Sequence, residues 1–101
     1  MTKASLKAAV TAYNVDPAAA TATYGPVAEW EVSEVTDMSY LFYWLTNFNA
    51  DISNWKTSSV TTMANMFSGA SAFNQPLSFD TSSVTDMASM FNVRFAHALA
   101  P

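Results

Sequence analysis

Hydrophobic and polar positions repeat along the chain with spacings of 25 and 24 residues between Thr23 and Phe91. Equivalent positions in successive repeats are called columns below. A Val-Thr-x-Met segment recurs at Val35 to Met38, Val60 to Met63 and Val84 to Met87, and a hydrophobic pair follows it at Leu41 and Phe42, Met66 and Phe67, and Met90 and Phe91. An aromatic residue recurs at Trp30, Trp55 and Phe79. A fixed period of this length indicates units that bury their apolar faces against one another. The sequence therefore predicts about three units, 24–47, 48–72 and 73–101, after an N-terminal segment 1–23.

Each unit combines two patterns. In unit 2, the short segment from Asp51 to Lys56 carries Ile52 and Trp55 and precedes Thr and Ser residues, which is typical of a strand leading to a helix cap. The next residues place apolar side chains as on one face of a helix: Val60, Met63, Met66, Phe67 and Ala70. One short strand and one short helix per unit predict an α/β fold, a short leucine-rich-repeat-like solenoid with an N-terminal helical cap.

The N-terminal 23 residues lack the repeat, and both ends of the chain are predicted to be helical. Leu6, Val10 and Tyr13 form a narrow apolar stripe. A second helix is expected from Asp16 as N-cap and Pro17 as first residue to a glycine stop at Gly25. At the other end, an amphipathic helix is expected from Met87 to Leu99, closed by Pro101.

The columns of unit 2 resemble those of a known family. Residues 48–70 read F-N-A-D-I-S-N-W-K-T-S-S-V-T-T-M-A-N-M-F-S-G-A, which looks like the bacterial surface protein 26-residue repeat, the BspA-like repeat also found in mycoplasma-type lipoproteins. The resemblance implies a leucine-rich-repeat-like fold and a role in adhesion or protein binding at a cell surface, without catalysis. Unit 1 departs from the pattern, because Trp44 and Leu45 replace the Gly-Ala pair of unit 2.

Composition argues against several classes of function. The formal net charge is −4 and only 12% of residues are charged, so we expect no binding to nucleic acid. Without cysteine the chain has no disulfide and no thiolate ligand. Its longest apolar run, Tyr40 to Leu45, is far below the ~20 residues that span a bilayer, so no membrane insertion is expected. No secretory leader is recognisable, and an extracellular or cell-surface location is expected from the resemblance alone.

Few residues are candidates for chemistry. The Met columns are expected to be core rather than a soft-metal site because their spacing is helical. Asp37 and Asp86 stand where helices are expected to begin, with Thr62 between them, and a carboxylate there stabilises a helix dipole. His97, the single histidine, has no nucleophile and carboxylate pattern around it. We therefore expect no catalytic activity, no metal and no cofactor.

The expected function is a non-catalytic repeat module for protein–protein interaction, adhesion or surface scaffolding, with a protein partner that remains unknown. The interaction surface is expected on the open face of the predicted sheet, at five polar residues: Asp51, Ser53, Asn54, Gln75 and Ser78. Thr and Ser columns, among them Thr36, Thr61 and Thr85, suggest an alternative, an ice-binding or surface-binding hydroxyl lattice. Another alternative is self-association, as a homodimer formed through the C-terminal end of the third unit.

Overall fold

The computed structural model describes residues 1–90, and the predicted helix from Met87 to Leu99 lies largely outside them. The chain begins with two helices, α1 (Lys3–Val15) and α2 (Pro17–Tyr24), followed by a 3₁₀ turn, Val27–Glu29. The two helices lie where the sequence pattern places them, since local signals define their ends. A capping box of Thr2 and Ser5 starts α1. Asp16 caps α2 by accepting the N–H of Ala19.

The prediction of an α/β solenoid with a strand and a helix in each unit is wrong. Between Trp30 and Met90 the chain forms neither an α-helix nor a strand, and the β-type pairing there consists of isolated parallel bridges, Asp37 to Thr62 and Thr62 to Asp86. The repeat region consists of turns, and the leucine-rich-repeat model does not describe it.

Pairs of tight turns replace the predicted helices. In unit 1 the N–H of Leu41 donates to the carbonyl of Met38, and the N–H of Leu45 donates to that of Phe42, so two four-residue turns follow one another. Unit 2 repeats both turns at 63–66 and 67–70. The third residue of each turn has a positive φ, which is typical of a type II turn: Tyr40 (60°), Trp44 (56°), Asn65 (56°) and Gly69 (75°).

This turn geometry explains why the sequence pattern predicts a helix where the structure has turns. Successive four-residue turns direct Met38, Leu41, Phe42 and Leu45 to the interior, and all four are buried. Their spacing of three, four and seven residues is the same as that on one face of an α-helix. The two structures differ in the backbone. The third residue of each turn is left-handed, whereas an α-helix of L-residues has a negative φ throughout, and the turn N–H groups pair three residues back or with the next unit rather than four residues back.

The backbone groups that a helix would pair within itself are paired between units. Every second N–H of the unit 1 turns donates to a carbonyl of unit 2 over 2.8–3.0 Å, and unit 2 donates to unit 3 in the same way over 2.9 Å. The donor and acceptor pairs are Met38 to Thr62, Tyr40 to Ala64, Phe42 to Met66, Trp44 to Ser68, Met63 to Asp86, Asn65 to Ala88 and Phe67 to Met90. Stacking therefore satisfies polar groups that would be costly to bury unpaired.

Aromatic side chains of successive units stack on one another in the direction in which the units stack, and they form part of the core. Phe42 lies on Phe67 with ring centroids 5.0 Å apart and planes within 9°, and Phe48 stacks on Phe73. Trp30 and Trp55 form a second stack at 6.3 Å. The prediction that the Met columns are core is confirmed for Met38, Met63, Met66 and Met90, whereas Met87 is 39% exposed.

Helix α1 covers the outer side of unit 1. Its residues Leu6, Ala9 and Val10 are fully buried. The Lys7 ammonium donates to the carbonyls of Tyr40 (3.1 Å) and Leu41 (2.8 Å). Leu41 stands in the column of Met66, whose carbonyl accepts a unit 1 N–H, so the ammonium takes the place of the N–H that a preceding unit would supply.

Candidate functional site

Three aromatic side chains of unit 1 lie together on the surface. Tyr40, Tyr43 and Trp44, called the aromatic cluster below, are 49%, 43% and 57% exposed. The Tyr43 ring contacts Tyr40 edge to face at a centroid distance of 5.2 Å and approaches Trp44 in the same manner at 6.2 Å. Contiguous exposed aromatic groups of this kind mark interaction sites more often than isolated surface residues do.

The aromatic cluster is particular to unit 1. Unit 2 carries Asn65, Ser68 and Gly69 in the same columns, on a backbone of the same shape. Asn and Gly are residues that tolerate a left-handed conformation, whereas Tyr40 and Trp44 adopt it at a cost of about 1–2 kcal/mol each. Unit 2 stacks on unit 3 with Asn, Ser and Gly in these columns, so stacking of the units does not require aromatic side chains there.

The Trp44 indole lies flat on unit 2. A Cβ atom built on Gly69 would be 2.5 Å from Cδ2 of Trp44 and 2.8 Å from both Cγ and Cε2. Those two atoms flank Cδ2 in the ring, so the near-equal distances place Gly69 over the face of the indole rather than at its edge. One face of the indole therefore covers the Gly69 backbone, while Trp44 as a whole remains 57% exposed.

The five residues predicted to form an interaction surface are partly occupied within the fold. The carboxylate of Asp51 accepts the N–H and hydroxyl of Ser53, and the Ser78 hydroxyl donates to the Ser53 carbonyl at 3.4 Å. The Gln75 amide donates to Asn49 in the neighbouring unit. Asn54 is exposed at a shallow depression that Trp30 and Lys56 also line. Whether these residues bind a partner stays a prediction.

The carboxylate columns hold turns rather than helix ends. Asp37 and Asp86 each accept the N–H of the residue two positions later, and Thr62 does so through its hydroxyl. Their predicted role at helix N-termini is therefore wrong, because no helix begins there; they form the local turns that Asx and Thr side chains favour.

Hydrogen bonds lower the pKa values of three Asp carboxyls in the turns, Asp37, Asp51 and Asp80. Burial alone would raise the pKa of Asp37, but the bonds from Ser39 and the Lys3 ammonium, 3.0 Å away, outweigh it and lower the pKa. Hydrogen bonds from Ser53 lower the pKa of Asp51, and those from Ser82 lower that of Asp80. Each shift is explained by hydrogen bonds within a turn, with the Lys3 ion pair added at Asp37, so none points to acid–base chemistry.

The exposed Thr column stands in register across the three units. The Thr61 hydroxyl donates to the carbonyl of Thr36 at 3.1 Å, and the Thr85 hydroxyl donates to that of Thr61 at 3.2 Å. Both hydroxyl protons are thus used between units. The ice-binding alternative stays a prediction, and nothing in the geometry of this column favours it over a structural role.

Residues 1–90 contain no group of three or more His, Asp or Glu side chains arranged to hold a metal ion. None of the helices in this part of the chain is both long and apolar enough to cross a membrane. His97 lies outside the described residues. The aromatic cluster is therefore the strongest candidate site, and its signal in the sequence is the departure of unit 1 from the Gly-Ala pair at Trp44 and Leu45.

These observations define a repeat protein whose units stack through tight turns under a helical N-terminal segment. Residues 6–99 match the family model described as Mycoplasma protein of unknown function, DUF285. The chain belongs to this family, which is consistent with the predicted mycoplasma-type repeat and does not confirm the finer BspA-like or leucine-rich-repeat assignment. No curated protein and no solved structure is significantly similar to the chain.

Proposed function

We propose that the protein is a non-catalytic adhesion or interaction module, which binds through the aromatic cluster of unit 1. The observation that carries the proposal is that Tyr40, Tyr43 and Trp44 are exposed together where unit 2 has small or polar residues. A location on the cell surface and a BspA-like role are part of the same proposal, and they rest on the resemblance of the repeat columns.

The residue types at the left-handed positions support a functional origin for the aromatic cluster. The left-handed backbone itself belongs to the repeated turn, since it recurs at Asn65 and Ser89, but only unit 1 places large aromatic residues there. Tyr40 and Trp44 bear the cost of that backbone, and roughly half of each side chain remains exposed. Their aromatic groups consequently contribute less to the core than buried rings would, which favours a role outside the core.

The polar side chains support a non-catalytic role. The carboxylates of Asp37, Asp51 and Asp80 accept hydrogen bonds from Ser residues two positions later, and these bonds define the turns. Such carboxylates serve as structural acceptors. The chemistry offered by the aromatic cluster itself is contact and stacking rather than proton or group transfer.

The repeat supplies its own variant for a test. Tyr40→Asn, Tyr43→Ser and Trp44→Gly together give unit 1 the residues that unit 2 already carries on the same turns. Val15→Ser is the matched control, because Val15 is an apolar residue that is 78% exposed on α1.

The measurement is the adhesion of beads coated with each protein to cultured epithelial cells under flow. We expect the wild type and the control to adhere and the triple variant to lose adhesion while its circular dichroism spectrum is retained. Equal adhesion of a folded triple variant would show that the aromatic cluster is not the binding surface.

A further inference from the structure

We propose that the aromatic cluster is a carbohydrate-binding site, which stacks the C–H face of a neutral sugar ring on the face of the Trp44 indole that is turned away from Gly69. The inference rests on the proposed function and names the class of ligand. It follows from the orientation of one ring, the charges beside it, the exposed area and the free polar groups at its rim.

The orientation of Trp44 suits a flat ligand. Its inner face lies on Gly69, which is the one residue in this column of units 1 and 2 that has no Cβ. The left-handed backbone at Trp44 and the bare backbone at Gly69 together hold the indole parallel to the surface. A pyranose ring has a comparably flat face of C–H groups, which the negative face of an aromatic ring attracts.

The charges beside the aromatic cluster favour an uncharged ligand. Lys3 forms an ion pair with Asp37, so these two charges offset each other. The Lys7 ammonium donates to the carbonyls of Tyr40 and Leu41 and is directed into the fold. A neutral ligand has no charge of its own to desolvate, and neither member of the Lys3–Asp37 pair has to give up its partner to bind it.

The exposed area fits a small ligand better than a folded protein. Each aromatic side chain can bury about 150–250 Å², and with about half of each exposed the aromatic cluster offers roughly 300 Å². A standard protein–protein interface takes about 800 Å² from each partner. The aromatic cluster alone falls well short of that area, whereas one or two sugar rings are covered by it.

Polar groups at the rim fit the hydroxyls of a sugar. Within residues 1–90, the phenol hydroxyls of Tyr40 and Tyr43 form no hydrogen bond, so each has a donor and an acceptor for a ligand. An apolar centre with a few polar groups that fix orientation is the usual composition of a small-ligand site.

Tryptophan fluorescence reports on this site selectively. Trp44 is 57% exposed, whereas Trp30 and Trp55 are 6% and 4% exposed, so acrylamide quenching of the native protein reports mainly on Trp44. The probes are cellotriose, chitotriose and N-acetyllactosamine, each titrated into the full chain. We expect at least one of them to protect Trp44 from quenching, with a dissociation constant on the order of 1 mM.

Two variants measured by calorimetry with the same probe separate stacking from hydrogen bonding. Trp44→Gly, which copies unit 2, is expected to weaken binding about tenfold or more. Tyr43→Phe removes only a hydroxyl and is expected to weaken binding a few-fold. Val15→Ser is expected to bind as the wild type does, and circular dichroism checks that each variant is folded.

The result that overturns the inference is binding of none of the three sugars, or equal sugar binding by folded Trp44→Gly. A proline-rich peptide is included in the same titrations because aromatic surfaces also bind such segments. Binding of the peptide without any sugar refutes the carbohydrate proposal and leaves the adhesion module standing. Loss of sugar binding in Trp44→Gly with unchanged cell adhesion refutes the proposed function instead.

Discussion

Unit 1 and unit 2 form the same pair of turns, with left-handed residues at equivalent positions. They differ in their outward side chains and in the elements that pack against them. Their inward columns match, since Met38 and Met63 are both fully buried, and Phe42 stacks on Phe67. Their outward columns differ, because only unit 1 carries the aromatic cluster. Packing between units thus constrains the inward side chains of both units. The outward columns are covered in unit 2, where Ser68 is buried and donates to the Ser89 carbonyl, and are about half exposed in unit 1.

The outer neighbours of the two units differ as well. Unit 2 is paired on both sides by turns of other units, whereas the outer side of unit 1 faces α1. The Lys7 ammonium there binds a carbonyl that in unit 2 would receive a backbone N–H. A side-chain cation can therefore end a stack of turns where no further unit precedes it in space.

Gly69→Ala is expected to have the largest effect on this comparison. The new Cβ would be 2.5 Å from the Trp44 ring, and Gly69 has a φ of 75°. The overlap and the left-handed backbone together are expected to lower the free energy of unfolding by about 2–4 kcal/mol, measured by urea denaturation.

Two controls separate the causes of the Gly69→Ala effect. Gly25→Ala also places a Cβ at a positive φ, 83°, but nothing lies within 4 Å of it, so only a backbone cost is expected. That cost is about 1–3 kcal/mol, because the ψ of −177° puts Gly25 in a region that is essentially confined to glycine. In the Trp44→Gly background, Gly69→Ala should likewise cost only the backbone amount. An undiminished loss in that background would show that the indole does not lie on Gly69.

Lys7→Met is expected to have the second largest effect. It keeps the apolar stem and removes the ammonium from the carbonyls of Tyr40 and Leu41. Burial and the nearby Lys3 lower the pKa of Lys7, so part of the gain from these bonds offsets the cost of burying the charge. We expect a net loss of about 1–2 kcal/mol in the free energy of unfolding.

Lys3→Met is the comparison for Lys7→Met. The ion pair of Lys3 with Asp37 is more than 40% exposed on both sides, so its loss should cost less than about 1 kcal/mol. If the two substitutions had equal effects, the ammonium of Lys7 would not replace a backbone donor.

Asp37→Thr is expected to have the smallest effect, since Thr is the residue of unit 2 in this column. The folded state lowers the pKa of Asp37, so the carboxylate stabilises the fold above the ordinary Asp pKa of about 4, and that contribution is lost as the pH falls through the lower folded value. Asp37→Thr should therefore flatten the decline of stability below about pH 4, by less than about 1 kcal/mol. Urea denaturation at pH 7 and pH 3 measures the change, and an unchanged pH dependence would contradict it.

The aromatic cluster could have been found from the sequence. Tyr40, Tyr43 and Trp44 stand at positions i, i+3 and i+4, so the predicted α-helix over unit 1 would also have placed them on one face, opposite the buried columns. In the sequence only Trp44 stands out, as an interruption of the repeat, and the binding surface was expected on a sheet that does not exist among the described residues. The turns alone decide the left-handed backbone at Tyr40 and Trp44 and the contact of the indole with Gly69.

The sequence by itself determined the helices α1 and α2 and the register of the repeat. Those features depend on local caps, such as Asp16 with Pro17, and on apolar columns that recur at a fixed period. The tertiary structure alone decided that the repeated segments are turns, because their N–H groups find carbonyls in the neighbouring unit about 25 residues away rather than four residues back. A pattern of buried positions specifies which side chains meet, and only the stacked units decide which backbone groups pair.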